Sequence, residues 1–247
     1  TQATKSVTVD TVASAPTVAL TTDTGSSGTD KITKTSGLSV SGTESSAVVE
    51  YSTNNSTWST TAPSPSQGSN TVYVRQTDTA GNVSASTTFT YTYDTSAPTI
   101  SIGSVATDNV VNGSEKTSGV TVSGTTSAED GQTVTVIWGG TTKTTTASGG
   151  SWSVSYASAD VPADGSTSIT ADVSDKAGNA ATQATKSVTV DTTAPTFISA
   201  SAFNSKVVLQ LTENASGLYT AHSPDKADFT VKVNGSTKTI GSLTLDA

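Results

Sequence analysis

At 247 residues, with 12 Lys and Arg against 20 Asp and Glu, the chain carries a formal charge of −8. That argues against nucleic acid and anionic membrane as partners, since both require a basic patch. It has no cysteine and one histidine, so there is no disulfide framework and little material for nucleophilic or metal-hydrolase catalysis.

The first eleven residues, TQATKSVTVDT, recur letter for letter at 182–192, and self-similarity of this kind marks a tandem array. Each copy ends at a border, Asp10-Thr-Val-Ala-Ser-Ala-Pro16-Thr17 and Asp191-Thr-Thr-Ala-Pro195-Thr196, with a third at Asp94-Thr-Ser-Ala-Pro98-Thr99. The borders divide the chain into 1–11, the last strand of a preceding module plus linker; 12–97 and 98–194, two whole modules; and 195–247, an incomplete third sandwich of another subtype. The chain therefore reads as a fragment of a longer protein, and a missing signal peptide says nothing about export.

Within the modules, Thr and Ser crowd the sequence while Leu and Met are scarce or absent. This suits sheets with hydroxyl-bearing outer faces, and no helix is expected. Period-two runs recur at similar offsets in both modules. They are Val18-Ala-Leu20 and Ile100-Ser-Ile102, Leu38-Ser-Val40 and Val120-Thr-Val122, Val48 to Tyr51 and Val134 to Trp138, Val72-Tyr-Val74 and Ile169 to Val173, and Phe89 to Tyr93 and Val188-Thr-Val190. With the intervening strands this predicts about seven per module, an all-β immunoglobulin-like sandwich. Alternation places Phe89, Tyr91 and Tyr93 on one face, where core packing is expected. In the last segment, Val207 to Leu211 and Phe229 to Val233, followed by an Asn234-Gly235 turn, predict further strands.

Between the last two strands of each module stands Asp78-Thr-Ala-Gly-Asn82 or Asp175-Lys-Ala-Gly-Asn179, each starting 16 residues before the border aspartate. In a sandwich this turn lies at the end where the module began, so Asp78 should stand beside Asp10 and Asp175 beside Asp94. The loops after the first strands, Asp23 to Asp30 and Asp108 to Glu115, fall at the opposite end. The next loops bring Glu44 and the Glu129-Asp130 pair back to the leading end. Carboxylates of Asp23, Asp30, Asp94, Asp130 and Asp175 are thus expected to converge between the modules. Hard oxygen donors with no His or Cys describe a calcium site, although each loop alone would pass as an ordinary turn. The two extra residues in the first border are expected to distort the site around Asp10.

The D-T-S/T-A-P-T borders, D-x-A-G-N turns and S-G-T strand ends together resemble the bacterial immunoglobulin-like repeats of giant, type I-secreted, calcium-binding adhesins. The resemblance covers 12–195 and the leading strand. It implies an elongated monomeric rod at the bacterial surface, an extender serving adhesion or biofilm formation, with calcium stiffening the junctions. The partners it implies are neighbouring modules of the same chain, with ligand recognition left to other domains and no membrane insertion. It implies metal-ligand roles for Asp94, Asp175, Asp108 and Asp191. Enzymatic activity is not expected. The alternatives are an accessory region of a secreted polysaccharide-acting enzyme, or a carbohydrate-binding module using Trp138 and Trp152 as a stacking platform, against which stands packing of the two rings across a Gly-rich hairpin. His222, in a polar stretch, reads as a surface residue.

Overall fold

The alternating runs form two successive β-sandwiches in the computed structural model, which describes residues 3–203, 206–212, 231–233 and 236–239. In the first module, β1 (Thr17–Leu20) pairs with β3 (Leu38–Ser41), and β2 (Ile32–Thr33), β4 (Val48–Ser52), β5 (Gly68–Thr77) and β6 (Thr87–Tyr93) form a second sheet in the order β2-β6-β5-β4. All pairings are antiparallel except β2 with β6, which run parallel. The opening strand therefore leaves one sheet and crosses to the other, where it flanks the closing strand. That crossing carries the loop of Asp23 to Asp30 around the trailing end.

The second module repeats the plan with additions. Strands β7 (Val110–Asn112), β9 (Thr133–Trp138), β10 (Thr141–Thr146), β12 (Gly165–Val173) and β13 (Ala184–Asp191) build a sheet ordered β10-β9-β12-β13-β7, and β8 (Val120–Thr125) pairs with β11 (Ser151–Tyr156). β7 lies parallel to β13, as β2 does to β6. The β10 and β11 strands have no counterpart strand in the first module, whose 53–67 stretch makes a single bridge, Tyr51 with Ser59. Beyond, β14 (Thr196–Phe203) pairs with β15 (Lys206–Thr212), and β16 (Val231–Val233) with β17 (Ser236–Lys238). His222, Phe229 and the Asn234-Gly235 turn lie outside the described residues.

The cores follow the inward positions. Val18, Val72, Val74, Phe89 and Tyr91 fill the first, with Tyr93 packed at its edge. Phe89 and Tyr91 stack at 5.8 Å between centroids, so the aromatic face is core, as alternation predicts. The second core is larger, gathering Val120 and Val122 from one sheet and Val134, Val136, Ile169, Val188 and Val190 from the other. Trp138 and Trp152 belong to it, 0% and 3% exposed. They come from opposite sheets, so neither the stacking platform nor packing across one hairpin describes them. Trp138 meets Tyr156 edge-on at 5.3 Å, and burial pushes the Tyr156 hydroxyl up to about 12, aided by the Asp160 carboxylate.

Two expectations need correction. Ile100-Ser-Ile102 forms no strand: its pairing is one bridge, Ile100 with Thr126, flanked by bonds from Ser101 N to Thr125 O and Gly103 N to Ser123 O. Here the Ser101 carbonyl occupies the place of a Gly124 side chain, 1.9 Å from where its Cβ would stand. And a helix exists, α1 (Gly113–Ser118), started by a capping box in which Asn112 accepts from Ser114 N and Glu115 N while Glu115 accepts from Asn112 N. No helix among the described residues is long and apolar enough to cross a membrane.

Candidate metal centre

Each D-x-A-G-N turn is a tight connection between β5 and β6, or between β12 and β13, closed by its own aspartate. Asp78 N donates to Asn82 O at 3.0 Å and Gly81 N to Asp78 O at 3.2 Å, and Gly81 takes φ +93°, a conformation glycine adopts without a Cβ penalty. The Asp78 carboxylate then accepts from Asn82 twice, from N to Oδ1 and from Nδ2 to Oδ2, both at 2.7 Å. These bonds hold the Asp78 carboxyl below its ordinary range although burial opposes them. Asp175 repeats the arrangement with Asn179 at 2.7 and 2.9 Å, and Gly178 takes φ +86°.

The asparagine of each turn also reaches the border. Asn82 Nδ2 donates to Asp10 O at 3.1 Å, and Asn179 Nδ2 to Asp94 O at 3.0 Å. Each turn therefore stands beside the border that opens its module, where strand order places it.

At the leading end of the first module, Asp10, Glu44 and Asp78 each offer a carboxylate oxygen within 4.8 Å of the others, and this is the one such group among the described residues. Asp78 is buried, Glu44 half-buried and Asp10 exposed. The clamp behind them is Gln76, fully buried, an amide that the sequence reading passed over. Its Oε1 accepts from Glu44 N at 2.8 Å while its Nε2 donates to Ser14 O at 2.6 Å, and Ser14 N in turn donates to Glu44 Oε1. The longer border is thus tied down at Ser14, beyond its two extra residues, and the three acids still stand together.

At the central junction the equivalent residues are Asp94, Glu129 and Asp175. Glu129 Oε2 accepts from Lys176 N at 3.0 Å and Asp94 Oδ1 from Ser96 N at 2.8 Å. The first module's loop packs directly on the second module's turn. Thr24 Oγ1 donates to Ala177 O at 2.7 Å, Lys34 Nζ donates to Gly178 O at 2.6 Å, and a Cβ on Gly25 would meet Lys176 O at 1.8 Å. A cleft of about 600 Å³ remains between them, lined by Thr24, Ser26, Lys34, Gln132 and Asp175 among others. Asp23 accepts from Lys31 N through Oδ2, while its Oδ1 is buried without a partner.

The other expected ligands serve local turns. Asp30 accepts from Ile32 N, Asp108 from Val110 N, Asp130 from Gly149 N and Asp191 from Thr193 N, while Glu115 caps α1. Strand order correctly puts the Asp108 to Glu115 loop beside Asp191, whose register partner on β7 is Asn112. The repeated asparagine of the D-x-A-G-N motif was the available signal for the turn-to-border bond, since it recurs at the same offset as the aspartate.

An orphaned buried carboxylate oxygen on Asp23, and three all-oxygen donors gathered around Asp78, fit a hard divalent cation such as calcium, which takes six to eight oxygens from carboxylates, carbonyls and water.

A family profile described as a bacterial Ig-like domain matches residues 97–192. Among solved structures, a bacterial immunoglobulin-like domain from the M. primoryensis ice-binding adhesin is 38% identical, with 38% of this chain and 96% of that chain covered and a TM-score of 0.31. A Ca2+-stabilized adhesin that helps an Antarctic bacterium reach out and bind ice is 28% identical over 76% of this chain and 52% of that one, with a TM-score of 0.41. A 1.5-MDa bacterial ice-binding adhesin, studied for host cell surface retention, is 30% identical over 74% and 67%, with a TM-score of 0.38. No curated protein matches the chain.

Proposed function

The chain belongs to the bacterial immunoglobulin-like domain family, and from that premise we propose that it is an extender segment of a cell-surface adhesin, a spacer whose modules are locked end to end by calcium. The observation that carries this reading is the gathering of Asp10, Glu44 and Asp78 at the first border, together with the turn-to-border bond that repeats from Asn82 to Asp10 and from Asn179 to Asp94. Similarity to adhesin domains, one of them in a Ca2+-stabilized protein, supports it. Biofilm formation and an extracellular, surface-bound location belong to the same proposal, as does the reading of 1–11 as the closing strand of a preceding module. Burial of Trp138 and Trp152 leaves the sugar-binding alternative without its platform.

The chain's own residues divide the work. Asn82 and Asn179 fix each turn's carboxylate against its border carbonyl, so the acidic oxygens are set before a cation arrives. Asp10, Glu44 and Asp78 would serve the first junction, and Asp23, Asp94 and Asp175 the central one, while Asp30, Asp108, Glu115, Asp130 and Asp191 hold their own turns and the start of α1. A bound cation would neutralise each acidic group and tie linker to module.

Calorimetric titration with calcium tests the assignment. Extracellular modules bind at roughly 10⁻⁴ to 10⁻³ M. Asp94→Ala should weaken binding at the central junction, and Asp78→Asn at the first, while Asp160→Asn changes neither. Titrations of both variants that overlay the parent would contradict the ligand assignment.

A further inference from the structure

Equivalent positions in the two cores hold different chemistry. On the strand that flanks each closing strand, Thr33 stands opposite Tyr93 and Val111 opposite Val190, Tyr93 and Val190 being the last residues before the border aspartates. Two residues before each D-x-A-G-N turn stand Gln76 and Val173. All four are buried, so the first module has polar side chains at two core positions where the second has valine. We infer that the first module is the yielding element of this chain: under denaturant or load it opens while the second stays folded, and it lets out its length.

Three differences in packing point the same way. The polar pair is satisfied, Thr33 Oγ1 donating to Thr22 O at 2.9 Å and Gln76 bonding Glu44 N and Ser14 O, but a satisfied hydrogen bond stabilises less than the burial of an aliphatic side chain. The rings differ too. The first core has Phe89 and Tyr91, while its tryptophan, Trp58, lies outside that core under the Arg75 guanidinium at 4.1 Å. The second core encloses Trp138, Trp152 and Tyr156, and the Tyr156 hydroxyl donates to Val136 O at 3.0 Å, a bond from β11 in one sheet to β9 in the other. Finally, β10 and β11 add six-residue pairings with β9 and β8, where the corresponding stretch of the first module makes one bridge.

Load follows the same order. A pull on both ends drags each closing strand along its parallel neighbour, so the bonds of that latch are loaded together. β6 is held by β2 over two residues and β13 by β7 over three. The helix that follows β7 anchors the stronger latch further, since Lys116 Nζ donates to Pro162 O at 2.8 Å. A chain under tension therefore lengthens in the first module while the second keeps its shape. Lengthening under tension matters in a spacer, and that part rests on the extender reading; the order of opening does not.

The test uses the full chain in chelator, so that no bound cation enters the result and a failed calcium titration would leave the order of opening standing. The sequence has no cysteine, so Val74→Cys and Val136→Cys, both at fully buried positions, report the two modules separately through reaction with a thiol reagent. Val74→Cys should react at a lower urea concentration than Val136→Cys. The cysteine-free parent should show two circular-dichroism transitions at the same midpoints, which separates the native order from any effect of the substitutions. With the chain stretched between two beads, Val74→Cys should take up a fluorescent thiol reagent at a lower load than Val136→Cys. Labelling of both at one midpoint, a single transition in the parent, or earlier labelling of Val136→Cys under urea or load overturns the proposal.

Discussion

A single buried amide, Gln76, shows how one residue sets the geometry of several. It accepts from Glu44 N and donates to Ser14 O, with no water-facing alternative for either arm. Gln76→Ala leaves those buried groups unpaired and should cost about 1–3 kcal/mol in urea unfolding of the first module. Acidic residues add a pH dependence. Asp164 is held below the ordinary carboxylate range by the hydroxyls of Thr192 and Thr193, and Asp78 by Asn82. A lowered folded-state pKa contributes stability that is fully present above the unfolded value near 3.8 and is lost as pH falls through the lowered one. The stability gap between the parent and Asp164→Asn, followed by denaturant titration, should therefore be constant near neutrality and close only in acid below that value. A gap that closed above pH 5 would contradict the assignment. The motif spacing revealed Asp78 but neither Gln76 nor Asp164, because those two sit in ordinary strand and turn contexts and gain their roles only from chain folded against them.

At the level of elements, glycine contacts decide how the first module's loop meets the next module's turn. Gly25 has φ +98° and its missing side chain leaves room for Lys176 O, while Gly178 approaches the Gly25 backbone. Gly25→Ala should force the loop away and break the bonds from Thr24 and Lys34 across the junction. Gly28→Ala, in the same loop with nothing within 4 Å, is the control and should leave the junction intact. Residual dipolar couplings that report the same relative module orientation in both variants would sink this reading. Strands were legible wherever alternation and a β-rich run coincided, as in β5, β9 and β12. The α1 helix was not, because six residues of Gly, Ser, Thr, Glu and Lys carry no helical periodicity and its start depends on a capping box. The eleven-residue repeat shows the limit most plainly: one sequence is strand at 184–191 and none at 3–11, since strand structure requires a partner that local sequence does not contain.

For the whole molecule, the central junction has the linker held from both sides. Gln67 Nε2 donates to Thr95 and Ser96 from the first module, and Asn179 donates to Asp94 O from the second. Pro98 closes the linker with a fixed φ, leaving few residues to bend. Calcium at the acidic ends would then stabilise by mass action only the aligned state. Small-angle X-ray scattering of the chain, recorded in millimolar calcium and again in chelator with melting curves under both conditions, tests this most directly. The account predicts an elongated profile in calcium, a shorter and broader distance distribution in chelator, and a lower melting temperature with both sandwiches still folded. A compact profile in calcium, or identical profiles and melting curves in the two conditions, would contradict it.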